Sequence, residues 1–212
     1  MTAARTVLVP PQRVPRWFDN FAARHGAVDL VIQQGCLRAS ADDGSVALAA
    51  LPFGREYGGA PNERAFAEAA LAPLHWGILL VRKGGFAVAC MQGGDSLASK
   101  VGQRHVQGRT KAGGQSQQRF ARRRDNQARQ AYEAAADHAH RILVLENPNR
   151  IDALVCGGDR SAVDAVLSDP RLDHLTVVRT DPWLDVPDPR RGVLDQAAID
   201  GRSARITVTD PE

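Results

Sequence analysis

A chain of 212 residues that is 43% hydrophobic and 24% charged can build a real core, which excludes wholesale disorder and fits one large domain or a domain with a smaller attachment. The formal net charge of +3 hides segregation. Nine of the 27 Lys and Arg fall between Lys100 and Arg129, against one of the 24 acids, Asp125, so that segment is +8 and the remainder −5. Such a basic patch on a mildly acidic body is an electrostatic footprint for nucleic acid.

The first 26 residues begin irregularly, with Pro10, Pro11 and Pro15, and lead into a short helix over Pro15 to His25 with Trp17, Phe18 and Phe21 on one face. Three strands follow, Ala27 to Gln33, Cys36 to Ala39 and Ser45 to Ala50, with Asp42-Asp43-Gly44 as a turn between the last two. Leu51 to Pro61 is a Gly/Pro-rich connector, and Asn62 caps a helix running to Leu71. Residues 1–70 therefore read as a small β-rich N-terminal subdomain, and residues 71–212 as a second domain.

His75 to Arg82 (HWGILLVR) is a buried strand; Lys83-Gly84-Gly85 turns the chain into Phe86 to Gln92, and Gly93-Gly94-Asp95 turns it into a third strand over Ser96 to Val106. One long helix is expected from Ser116 to Arg141, roughly 40 Å at 1.5 Å per residue. Its stripe holds Phe120, Arg124, Gln127, Ala131, Ala135, His138 and Ile142 at three- and four-residue spacing. The pattern then alternates. Asp152 to Gly157 is a strand, Ser161 to Ser168 a helix, His174 to Arg179 a strand and Asp181 to Pro189 a loop. Arg191 to Asp200 is a helix and Ala204 to Thr209 a final strand. A meander, a long helix and alternating strands and helices give an α/β class with a mixed sheet covered by helices.

Cys36, Cys90 and Cys156 are odd in number and far apart, and with no CxxC pair they read as small buried hydrophobes in a reducing compartment rather than as a zinc site. His138 and His140 are two apart on a helix and face different sides, so they form no ligand pair. No metal and no cofactor is expected. With no signal peptide and no apolar run of about 18 residues, the protein is expected to be soluble and cytoplasmic, with neither a membrane nor DNA as partner.

The segment from Gly108 to Arg124, GRTKAGGQSQQRFARRR, carries the chemistry. Gly113 and Gly114 remove two side chains, so the backbone can take φ > 0 and approach another molecule closely. Gln115 then presents a carbonyl acceptor and an NH₂ donor at the tip, as is needed to hold a water against an ester in a crowded site. Glutamine does not titrate usefully, so its contribution would be positioning and electrostatics rather than base catalysis. Arg109, Lys111, Arg119, Arg122, Arg123 and Arg124 have almost no nearby acids to pair with, Asp125 apart, and suit phosphate contacts, which position without reading sequence. Phe120 reads as a core anchor for the helix base.

After Gly113-Gly114-Gln115 come Ser116, two variable residues, Arg119-Phe120-Ala121-Arg122 and Arg124. This string resembles the middle domain of archaeal and eukaryotic class-1 peptide-release factors, with its GGQ, S-x-x-R-F-A-R-x-R and long helix. It also resembles the Vms-type release-factor-like peptidyl-tRNA hydrolases of ribosome quality control, above all their stand-alone actinobacterial branch. The close match covers residues 108–124, and a looser one in element order runs from about Ala72 to Thr209. The resemblance implies a ribonuclease-H-like fold for that domain. It also implies a GGQ loop that enters the peptidyl-transferase centre of the large subunit, where Gln115, with Gly113 and Gly114, supports hydrolysis of the peptidyl-tRNA ester. Ribosome, peptidyl-tRNA and rRNA would be the partners, with Arg109 and Lys111 at the tRNA acceptor end and the later arginines along rRNA. The chain has no room for the stop-codon-reading and GTPase-binding domains of a full release factor, so rescue of stalled ribosomes or split large subunits is expected. Two alternatives stay open: a nuclease cutting tRNA near its 3′ end, and a non-catalytic ribosome- or RNA-binding module.

Overall fold

A computed structural model describes residues 4–71, 74–103, 129–147 and 149–211. The chain divides into two compact units, residues 1–73 with 199–212, and residues 74–198.

The first unit is a five-stranded antiparallel sheet carrying two helices. In chain order it contains β1 (Arg5–Val9), a 3-10 turn (Pro11–Arg13), α1 (Val14–His25), β2 (Val28–Gln33), β3 (Cys36–Ala41), β4 (Val46–Ala50) and α2 (Glu63–Ala70). Its last strand, β10 (Ala204–Thr209), comes from the far end of the chain, and the sheet order is β1-β10-β4-β3-β2. Period-2 alternation decides the faces: Leu37, Ala39, Ala47, Ala49, Ile206 and Val208 are buried on one side, while Arg38, Leu48 and Arg205 alternate with them. Small alanines at the centre of the sheet let the aromatic side chains above come close. Val14, Phe18 and Phe21 of α1 and Phe66, Ala67 and Ala70 of α2 share one core with those strand residues, each buried large side chain contributing about 1.5–3 kcal/mol. As read from the sequence, Asn62 caps α2, its side-chain oxygen accepting from the Ala65 N–H at 2.8 Å.

Residues 4–10 were expected to be irregular, but Arg-Thr-Val-Leu-Val forms β1 because β10 supplies its ladder, from Arg5 opposite Val208 to Val9 opposite Ala204. The final strand forms where expected but in the other unit, pairing with both β1 and β4. The division at residue 70/71 therefore does not hold at the C-terminus.

The second unit contains β5 (His75–Arg82), β6 (Gly85–Gln92), β7 (Asp95–Gln103), α3 (129–140), a π-helical turn (Arg141–Leu145), β8 (Ala153–Gly158) and α4 (Arg160–Leu167). A 3-10 turn (Pro170–Leu172), α5 (Asp173–Val177) and β9 (Arg179–Leu184) follow. Helix α6 (Arg191–Gly201) carries the chain on to β10. The order is β7-β6-β5-β8-β9, antiparallel from β7 to β5 and parallel from β5 to β9. This mixed sheet agrees with the ribonuclease-H-like architecture implied by the resemblance. Ala135, Ala139, Ile142 and Leu143 from α3 and its π turn, with Val163, Val166 and Leu167 of α4, pack with Leu79, Val81, Val88, Leu154 and Cys156 of the sheet.

One strand was misplaced by the sequence reading. His174 to Arg179 was read as a strand and Asp181 to Pro189 as a loop, whereas Asp173–Val177 is helical and the strand is Arg179–Leu184. The run His-Leu-Thr-Val carries β-branched residues, but burial follows helical spacing: Leu172 and Leu175 are fully buried while Val177 is 85% exposed. Pro182 lies inside β9, which is tolerated because β9 is the outer strand of its sheet.

Candidate ribosome-facing segment and its scaffold

Gly113, Gly114, Gln115, Arg109, Lys111, Arg119, Phe120, Arg122, Arg123 and Arg124 all lie outside the described residues, as does the expected helix before residue 129. What the structure describes is the scaffold that delivers them. The segment leaves from Gln103, the last residue of edge strand β7, and returns at Arg129, the first described residue of α3.

Phe86 joins these two flanks. In the β6–β7 register it stands opposite Gly102, and a Cβ at Gly102 would lie 2.3 Å from the Phe86 ring, so the ring occupies the space a side chain would take. Its other neighbour is His138 of α3, the ring centroids 5.4 Å apart and tilted by 30°. Phe86 is 6% exposed and belongs to the core that also holds Ala135 and Ala139. One aromatic ring therefore touches the strand entering the segment, one residue before its described end, and the helix leaving it, nine residues after its described start. Residues Ala131, Ala135 and Ile142 of the sequence-predicted stripe are buried, and Ala136, Ala139 and Leu143 widen it.

Burial pushes the His138 pKa below the ordinary histidine value, with repulsion from Arg141 and then Lys100 adding to it and Asp137 opposing it. The geometry agrees: Arg141 Nη2 donates to His138 Nδ1 at 3.3 Å, which requires an unprotonated acceptor. Beyond α3, Asp137 accepts from Arg171 Nη2 at 2.7 Å, and Asp169 binds the same guanidinium through two further contacts of 2.7 and 2.9 Å. This bidentate pairing holds the Asp169 carboxyl down at about 2 and ties the exposed side of α3 to the Pro170–Leu172 turn.

At the carboxyl ends of β5 and β8 the chain departs in opposite directions, to β6 on one side and β9 on the other, which makes this the switch point where open α/β sheets take ligands. Here it is filled by Arg82. Its guanidinium donates to the Val186 carbonyl at 2.7 Å and stands 3.6 Å from Asp159 and 3.9 Å from Asp188. Gly158, at φ +91°, passes so close to the Val81 carbonyl that a Cβ would lie 2.3 Å from it. Sequence reasoning missed this cluster because Arg82 and Asp188 are far apart in the chain. Among the described residues no group of three or more His, Cys, Asp or Glu side chains could hold a metal ion.

The cysteines divide. Cys90 and Cys156 are buried, as read from the sequence, and burial pushes the Cys156 thiol up to about 12. Cys36, by contrast, is only half-buried on β3.

The model of the Actinobacteria/chloroflexi VLRF1 release factor family matches residues 74–207. The chain belongs to this family. The match takes in the whole second unit, including the Gly113-Gly114-Gln115 segment, and runs into β10, while residues 1–73 lie outside it. No curated protein matches the chain. Among solved structures, one described only as an archaeal protein is 15% identical with a TM-score of 0.40, covering 77% of this chain and 52% of its own. The archaeal translation termination factor aRF1 is 12% identical with a TM-score of 0.36, covering 91% and 62%. Archaeoglobus fulgidus Pelota is 10% identical with a TM-score of 0.31, covering 94% and 63%. The chain thus spans between about half and two thirds of the length of these proteins. No helix among the described residues is long and apolar enough to cross a membrane.

Proposed function

We propose that this protein is a peptidyl-tRNA hydrolase that releases nascent chains from stalled ribosomes or from large subunits. The observation that carries the reading is Gly113-Gly114-Gln115 followed by Ser116, Arg119-Phe120-Ala121-Arg122 and Arg124, inside the stretch matched by a release-factor family. Membership of that family supports a role in translation termination or ribosome rescue.

Hydrolysis of the ester needs a positioned water and a donor for the oxyanion that develops on the carbonyl oxygen. A backbone N–H of the triplet is that donor, and the two glycines allow it to come close. The Gln115 amide orients the water and excludes bulk solvent, and groups of the ribosome and tRNA supply the rest of the catalysis. Arg109 and Lys111 meet the acceptor end of the peptidyl-tRNA, and Arg119, Arg122, Arg123 and Arg124 track rRNA phosphates near the peptidyl-transferase centre. The Phe86 contacts to Gly102 and His138 support this reading by fixing where the segment leaves and rejoins the fold. A metal-dependent nuclease needs clustered free acids, and at the strand ends Asp159 and Asp188 both face Arg82 instead.

The test is release of labelled nascent chain from purified large-subunit–peptidyl-tRNA complexes, wild type against Gln115→Ala, with the tRNA 3′ end sequenced. Release should fall about 10²–10³-fold in the variant while ribosome binding is unchanged and the tRNA keeps its CCA end. Undiminished release by the variant would overturn the assignment to Gln115, and shortened tRNA would overturn ester hydrolysis.

A further inference from the structure

We infer that the first unit recruits an extended acidic peptide segment, which adds as a sixth strand along the free edge of β1. The inference is independent of the hydrolase reading, because the residues that would meet the added strand, on β1 and α1, lie outside both the basic segment and the matched stretch.

Three observations converge on this edge. Among the described residues β1 pairs only with β10, so alternate backbone N–H and C=O groups of Arg5–Val9 face outward as a template for another chain. Five residues at about 3.3 Å each give about 17 Å of edge, enough for a five-residue strand. Second, the core layer stops short. Val7 stands opposite Ile206 and shares its face of the sheet, yet Ile206 is fully buried and Val7 is 38% exposed. An apolar residue on the core face of an edge strand is thus left uncovered by α1, and neighbouring Leu8, on the opposite face, is likewise open at 36%.

Third, the space beside that edge is a cavity of about 590 Å³ with a charged wall. Val7 and Leu8 form one side, and Arg13, Arg16, Trp17 and Asn20 the other. The last four recur at three- and four-residue spacing, so they make one stripe of α1 and its preceding turn, adjacent to the stripe of Val14, Phe18 and Phe21 that enters the core. Among the described lining residues there are two arginines and no acid.

These features select the occupant. A strand edge offers hydrogen bonds at the peptide period; carboxylates on the Val7 face of an added strand would point toward α1 and reach Arg13 and Arg16, while the alternate apolar side chains, on the other face, would lie beside exposed Leu8. Single-stranded RNA is the competing class, since arginines beside an indole suit a stacked base. The Trp17 ring, however, is already stacked on Phe21 at 5.5 Å and 11° and edge-packed on Phe18 at 5.1 Å and 83°, and the opposing wall is aliphatic.

The experiment uses the full chain and a fluorescein-labelled octapeptide of alternating valine and glutamate, read by anisotropy. Three probes run beside it: the same peptide N-methylated on alternate backbone nitrogens, its valine–lysine counterpart, and an oligouridylate of equal charge. The valine–glutamate peptide should bind, and N-methylation, glutamate-to-lysine exchange in the peptide, or Arg13→Glu with Arg16→Glu in the protein should each weaken it at least tenfold. Arg13 and Arg16 are exposed, so far-UV circular dichroism of the double variant should match wild type. The N-methyl arm on wild-type protein stands even if that variant fails to fold, and it also separates strand addition from charge attraction to the segment at residues 100–129. No binding of the valine–glutamate peptide at 1 mM, equal binding of the N-methylated peptide, or affinity unchanged by the double charge reversal would overturn the inference. Tighter, arginine-dependent binding of oligouridylate would overturn it in favour of RNA.

Discussion

Replacing Gly102 with alanine puts a carbon 2.3 Å from Phe86 Cε1, 2.5 Å from Cζ and 3.0 Å from Cδ1. Ordinary contact needs about 3.5–4.0 Å, so the ring would have to move by more than about 1 Å. It has little room, being 6% exposed and packed against His138 with the α3 core behind it. Overpacking of this kind costs about 1–3 kcal/mol. Opposing it, a Gly→Ala change whose backbone fits an L-residue gains about 0.4–1 kcal/mol by restricting the unfolded chain. The sign therefore depends on the ring alone, and a double-mutant cycle isolates it. Phe86→Ala by itself should cost about 3–5 kcal/mol. On that background the clash is gone, and Gly102→Ala should become neutral or mildly stabilising. Urea titrations of the four proteins give the coupling energy, expected at about 1 kcal/mol or more. Additive effects would refute the idea that Phe86 fills the space above Gly102, and with it the anchoring of the two flanks. In the nascent-chain release assay, Phe86→Ala should lower the rate while Gln115 is intact, because positioning is lost rather than chemistry.

Asn62→Ala removes the acceptor for the Ala65 N–H and should destabilise the first unit by about 1 kcal/mol, measured by thermal unfolding, with Asn62→Asp close to wild type. His138 has a folded pKa below its unfolded one, so the unfolded chain binds the extra proton first. Its contribution is full above the unfolded value near 6.5 and is lost as pH falls through the folded pKa, so acidification from pH 7.5 to 5.5 should lower the melting temperature more in wild type than in His138→Gln. Gly158→Ala combines a φ of +91° with a Cβ 2.3 Å from the Val81 carbonyl and should cost about 2–4 kcal/mol, seen as a lower urea midpoint. With a thiol-reactive chromophore, half-buried Cys36 should label first in the native protein, and Cys90 and Cys156 only on unfolding.

Much of the second unit was legible because its information is local. HWGILLVR is apolar at almost every position, as a strand buried on both faces must be, and Gly84-Gly85 and Gly93-Gly94 punctuate the meander around it. The residues proposed to act at the ester were legible for the same reason: Gly113-Gly114-Gln115 and the arginines after it are contiguous, so their spacing is the signal. Asn62 announced α2 because a cap acts within one turn. Only tertiary contact decided the rest. Arg5–Val9 lacks a strong pattern of its own and becomes a strand because β10, about two hundred residues later, pairs with it, and that pairing moves the last strand into the first unit. His174–Val177 carries strand-like residues yet is held in and around a helix because Leu172 and Leu175 bury three residues apart. Arg82 meets Asp159 and Asp188, and Phe86 meets Gly102 and His138, through strand order rather than spacing. Propensity, capping and turn chemistry are set within a few residues, whereas a ladder partner or an ion pair across a sheet costs loop closure that the local sequence cannot record.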